Sequence, residues 1–125
     1  MSEALAVGKK LVESCRKGDW IGPYRTMYTD DCVNVEGANM PGIPATLEGR
    51  EAIIKKAEWW VANHTVHSSV VTGPFVGLRS DQFVVMYEID ITAKESGQRS
   101  RLAEVGLYTV KDGKVVREEF LYLMG

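Results

Sequence analysis

The chain has 125 residues, of which fifteen are Lys or Arg and seventeen Asp or Glu, for a formal net charge of -2 at pH 7. That length suits one domain, residues 1–125, built as packed layers around a single core, and the small net charge argues against nucleic acid or an anionic membrane surface as partner. Apolar runs of only a few residues and an N-terminus, MSEALAVGKK, without the positive-then-apolar order of a secretory leader lead to the expectation of a cytoplasmic protein that does not enter a membrane.

Taken in chain order, residues 3 to 17 place Ala4, Leu5, Gly8, Leu11, Val12 and Cys15 at helical spacing, with Ser2 available to cap the start and Gly18 to end it. Asp19 can cap a second, short helix through Trp20, Tyr24, Met27 and Tyr28. Residues 31 to 36 alternate, Val33 and Val35 against Asn34 and Glu36, which predicts a short strand. GANMPGIPATLEG, residues 37 to 49, has the composition of a loop, and Met40, Ile43 and Pro44 could form a lid there; a surface loop with incidental apolar residues explains them as well.

REAIIKKAEWWVANH predicts a helix with Ile53, Ile54, Ala57, Trp60 and Val61 inward. Trp59 and Trp60 point about 100° apart on it, so one packs under the sheet and the other lies at a pocket mouth or subunit contact. Strands are predicted at about 66–77, 82–93, 101–111 and 114–122, with ESGQ, residues 95 to 98, and Lys111-Asp112-Gly113-Lys114 as turns. On 82–93, Phe83, Val85, Tyr87, Ile89 and Ile91 share a face suited to core and pocket wall, leaving Glu88 and Asp90 outside. Helices followed by a run of strands give an α+β class, a curved antiparallel sheet wrapped around N-terminal helices.

The last hairpin raises the functional question. Glu104, Gly106, Tyr108 and Val110 share a face, and so do Val116, Glu118, Phe120 and Tyr122, so acids and aromatics point the same way. Carboxyl groups inside an apolar pocket must be paired, hydrogen-bonded or protonated, and when several share one pocket their proton affinities split. General acid–base chemistry follows, with Glu36 or Glu104 as base and Tyr108 or Tyr122 as hydrogen-bond donors. The competing reading puts Glu118 and Glu119 at a solvated edge or in pairs with Arg117, Arg101 or Arg99.

His64 and His67 straddle a helix end. Their H-x-x-H spacing is weak for a metal; His64 suits capping of helical carbonyls and His67 a pocket role as acid, base or donor. Cys15 and Cys32 lie far apart outside any C-x-x-C motif and read as small hydrophobes. There is no G-x-G-x-x-G, P-loop or G-x-S-x-G, so no organic cofactor is expected, nor a metal.

GDWIGPYRTMYTDDCVNVEG, then LEGREAI, then GLYTVKDGKVVREEF resemble the nuclear transport factor 2-like superfamily and, within it, the SnoaL-like (polyketide-cyclase-like) branch. The resemblance covers nearly the whole chain and implies a cystatin-like, cone-shaped α+β barrel, commonly a homodimer, with an apolar pocket for a small molecule. The scaffold hosts isomerases, cyclases, dehydratases, epoxide hydrolases and plain binding modules, so it does not name a reaction. Counted from Asp30-Asp31, Glu36 matches the proton-shuttling carboxylate of ketosteroid isomerase, whereas that enzyme's helix tyrosine falls near Leu11 and its protonated acid near Gly106. Its full machinery is therefore not expected, and the Asp-Arg-Asp arrangement of epoxide hydrolysis has no clear counterpart. The candidate catalytic residues are Glu36, Glu104, Glu118 and His67, and the candidate ligand-binding residues are Tyr28, Met40, Trp60, Tyr108, Phe120 and Tyr122. The alternatives to an acid–base isomerase, cyclase or dehydratase are a non-catalytic ligand-binding or dimerisation module and a scaffold whose pocket is filled by its own side chains.

Overall fold

The structure, a computed structural model, describes residues 3–38, 42–79 and 81–123; Ser2 and Met40 lie outside these. Helix α1 (Glu3–Arg16) buries Ala4, Val7, Gly8, Leu11, Val12 and Cys15, the stripe that its 3.6-residue spacing foretells. After it, the Asp19 carboxylate accepts the N–H of Gly22 at 2.8 Å, closing the turn into α2 (Gly22–Thr26). Tyr28 belongs not to this helix but to β1 (Tyr28–Val35), which is longer than the predicted strand. Within the predicted loop lies a three-residue strand, β2 (Thr46–Glu48).

Helix α3 (Arg50–Asn63) precedes four strands: β3 (His64–Phe75), β4 (Gln82–Ala93), β5 (Arg99–Lys111) and β6 (Lys114–Tyr122). The β5–β6 turn has Asp112 and Gly113 at positive φ, 52° and 76°, as an Asp-Gly hairpin requires. No described helix is long and apolar enough to cross a membrane.

The sheet runs in the order β2-β1-β6-β5-β4-β3. Successive strands from β3 to β6 are antiparallel, as their short connections demand. β1 pairs with β6 in parallel, so the sheet is mixed and not antiparallel throughout. No hairpin joins those two strands; most of the chain lies between them, and no local signal fixes their direction. The sheet stays open between its edge strands β2 and β3, giving an α+β cone that wraps the helices without closing.

Helix α1 packs on β3, β4 and β5, while α3 packs on β1, β2 and β3. The inward residues of β4, namely Phe83, Val85, Tyr87, Ile89 and Ile91, are all buried, as their alternation predicts. Gly8 sets how close α1 can come: a Cβ there would stand 2.7 Å from Pro74 Cβ and 3.1 Å from Phe83 Cδ2. With α1 seated on one part of the concave face and α3 on another, a hollow remains between them.

Candidate functional site

The hollow is a cavity of about 170 Å³ between the concave face and the helices. Leu11, Ile53, Trp60, Ile89, Leu102 and Phe120 supply its apolar wall. The polar groups that enter it are brought together by strand register. Glu104 is opposed by Tyr87 on β4 and by Tyr122 on β6; Gly106 is opposed by Val85 and Phe120; Tyr108 is opposed by Phe83 and Glu118. Glu118 in turn faces Asn34 on β1. A one-residue slip in any of these pairings would turn the whole set outward.

Lys56 on α3 is the cation of the site. Its Nζ donates to Glu36 Oε1 at 2.7 Å and to Asn34 Oδ1 at 2.5 Å, and its side chain is only 12% exposed, against 9% for that of Glu36. At such burial, removing either partner leaves the other charge uncompensated, so the pair acts as a unit. Tyr122 Oη donates to Glu36 Oε2 at 2.7 Å. The Asn34 amide passes the connection inward, donating through Nδ2 to Glu118 Oε2 at 2.7 Å. Because an ammonium can only donate, the amide oxygen of Asn34 must face Lys56.

Glu118 is fully buried and also accepts from Tyr24 Oη at 2.8 Å and Tyr28 Oη at 2.5 Å. Burial raises the proton affinity of its carboxyl, and the donors from Tyr28, Tyr24 and Asn34 pull the other way. Glu104 has no such set of donors. Burial first, and then the charge of Glu36, push its carboxyl up to about 7, with Tyr122 opposing. A second polar group lies elsewhere on the wall: the hydroxyls of Tyr87 and Tyr108 are 2.5 Å apart, and the Cys15 thiol, pushed up to about 12 by burial, sits beside Tyr87.

The structure thus places Glu36, Glu104, Tyr28, Trp60, Tyr108, Phe120 and Tyr122 on one cavity. Two expected catalytic residues lie elsewhere. Glu118 stands behind the wall, held by its three donors, and neither the solvated edge nor an arginine pair describes it. His67 is exposed on β3, with Nε2 at 2.7 Å from Thr92 Oγ1, because the strand turns Val66, opposite the buried Ile91, inward and leaves the next side chain outside. His64 does cap the helix, donating through Nδ1 to the Trp60 carbonyl at 2.8 Å and stacking on the Trp60 ring at 4.4 Å. Trp59 is exposed, Ile43 and Pro44 do not line the cavity, and Met40 lies outside the described residues.

Lys56, Asn34 and Tyr24 also line the cavity and were missed by sequence reasoning. Helical spacing was the available signal for Lys56, three residues after Ile53 and four before Trp60. For Asn34 it was the alternation that already put it on the face of Glu36. Among the described residues, no group of three or more His, Cys, Asp or Glu side chains is arranged to hold a metal ion.

The Glu104 carboxyl makes stability depend on pH. Its folded value of about 7 lies above the ordinary glutamate value of 4.5, so the stability it contributes is complete below pH 4.5 and is lost as pH rises to about 7. Above that, ionised Glu104 costs the fold on the order of 3 kcal/mol. Glu104→Gln should therefore match the wild type near pH 4.5 and exceed it in urea unfolding at pH 8; parallel pH profiles for the two proteins would contradict this environment.

A family model described as the SnoaL-like domain matches residues 3–122. No curated protein matches the chain. Among solved structures, a proposed SnoaL-like polyketide cyclase from Mesorhizobium loti is 39% identical, with 94% of this chain and 97% of that one covered and a TM-score of 0.84. A proposed isomerase from Bacillus subtilis is 19% identical, covering 97% and 86%, with a TM-score of 0.74. A Mycobacterium tuberculosis protein in complex with estradiol-17β-hemisuccinate is 16% identical, covering 99% and 96%, with a TM-score of 0.75. The last two share the fold alone. The match across residues 3–122 and the 39% identity over nearly the full length establish that this chain belongs to the SnoaL-like family of the nuclear transport factor 2-like superfamily.

Proposed function

We propose that the chain catalyses proton transfer on a small, largely apolar molecule with an enolisable carbonyl, leading to isomerisation, cyclisation or dehydration. The supporting observation is the convergence of Glu104, Glu36, Tyr122 and Lys56 on one otherwise apolar cavity. Glu104, with a proton affinity near neutrality, takes the proton from carbon next to the carbonyl and returns it at another position. The Lys56–Glu36 pair and Tyr122 fix the electrostatics around it. A volume of about 170 Å³ suits a single-ring molecule, since a cavity of about 150 Å³ already admits benzene.

Exchange of carbon-bound hydrogen for deuterium tests this without a known substrate. In D2O, the wild type should exchange the α-protons of single-ring ketones such as cyclohexenones, followed by proton NMR. Glu104→Gln should slow exchange by about 100-fold or more while leaving ketone binding within a few-fold. Binding without any exchange would reduce the protein to a ligand-binding module.

A homodimer through the outer sheet face completes the proposal. Register sets Val84 beside Leu107, and Val105 between Met86 and Leu121, on that face, and Leu121 is 47% exposed. Light scattering should give twice the chain mass of 13.9 kDa at micromolar concentration; the monomer mass would refute the dimer.

A further inference from the structure

The acidic group of the cavity spends its hydrogen bonds on itself. Tyr24 and Tyr28 donate to Glu118, Tyr122 donates to Glu36, and Lys56 bonds Glu36 and Asn34. The tyrosine pair differs. Tyr87 and Tyr108 line the cavity, and two phenols sharing one contact hold two protons, of which only one lies between the oxygens.

Gly106 decides where that contact lies. It occupies the inward face between Glu104 and Tyr108 and has no side chain to fill its place. An added Cβ would meet Tyr108 Oη and Cε2 at 2.7 Å, so the phenol leans back along β5 into the space of residue 106. Residues 104 and 106 on the same face are about 7 Å apart. The hydroxyl therefore comes within about one small functional group of the Glu104 side chain. A hydrogen bond of about 2.7 Å at one end and an approach of about 3 to 3.5 Å at the other leave space for a carbonyl and its neighbouring carbon.

The ring cannot swing away. Tyr108 stacks on Phe83 at 4.7 Å and 12° and meets Phe120 edge-on at 6.3 Å and 87°, while Tyr87 meets Trp20 at 6.3 Å and 62°. Burial holds both phenols well above their ordinary value, so they remain donors. Cys15 completes the arrangement. With the cavity empty, hydrogen bonds can run from Tyr108 to Tyr87 to the Cys15 sulfur; with a ligand oxygen present they can reverse, from the Cys15 thiol to Tyr87 to Tyr108 to the ligand. In neither state is a phenol proton left without an acceptor.

We propose that Tyr108, backed by Tyr87, is the oxygen-binding pole of the cavity and holds the carbonyl, enolate or phenolic oxygen of a single-ring ligand at the hydroxyl that Gly106 lets lean toward Glu104, with Glu104 facing the adjacent carbon. This rests on the proton-transfer reading for the role of Glu104, but the pole has its own test. Fluorine NMR titrations compare 4-fluorophenol with fluorobenzene, which differs only in lacking the oxygen. The wild type should bind the phenol at least tenfold more tightly. Tyr108→Phe should lose about tenfold for the phenol and nothing for fluorobenzene, whose retained binding shows that the cavity is intact; Tyr87→Phe should lose less in the same direction.

If Tyr108→Phe keeps the full preference for the phenol, the pole is refuted; if Glu104→Gln alone abolishes the preference, the oxygen sits at the acids and the pole is again refuted, while proton transfer stands. A tyrosine-dependent preference without any deuterium exchange would sustain the pole and refute the proposed reaction. Failure of the wild type to bind either probe would overturn both.

Discussion

One buried ammonium group serves a cavity into which or behind which three carboxyl groups point, and the rest of the site follows from how they share it. Lys56 commits itself to Glu36 and, through Asn34, to the environment of Glu118. Glu104 is left without the cation as a direct partner. In a poorly solvated site a negative charge beside another is costly, so the proton settles where compensation is least, and that place is Glu104. Glu36, the position to which the resemblance to ketosteroid isomerase points, is a paired charge here, and the carboxyl held near neutrality lies on β5, two strands away from β1.

The backbone makes this division possible. Inward positions of β4, β5 and β6 alternate acid, gap and phenol along the concave face: Glu104 with Tyr122, then Gly106 with Phe120, then Tyr108 with Glu118. Between the acidic group and the phenol pair the walls are apolar. A ligand that satisfies both must be small, mostly hydrocarbon and polar at one place. The absent side chain at 106 thus shapes the cavity as much as the residues around it do, since its space is where the Tyr108 hydroxyl lies.

Much of this was legible in the residues themselves. The stripe of α1, the alternation of β4 and the Asp-Gly turn are local periodicities, and the structure follows them. The shared inward face of Glu104 and Tyr108 was equally local. The parallel pairing of β1 with β6 was not, because it joins strands separated by most of the chain, and with it went the true position of Glu118 opposite Asn34. Lys56 was passed over because a lysine on an otherwise apolar helical face reads as a surface residue until a buried acid is known to lie across from it. His67 misled for the opposite reason: a titratable side chain near a helix end suggests chemistry, yet on β3 it alternates with the inward Val66 and points outward.

Carbon-13 NMR titration of the glutamate side-chain carboxyl groups reaches the sharing of charge most directly. The expected result is one carboxyl titrating near pH 7 that disappears in Glu104→Gln. A glutamate titration with no midpoint above about pH 5, as for ordinary side chains, would contradict the division of roles between Lys56, Glu36 and Glu104.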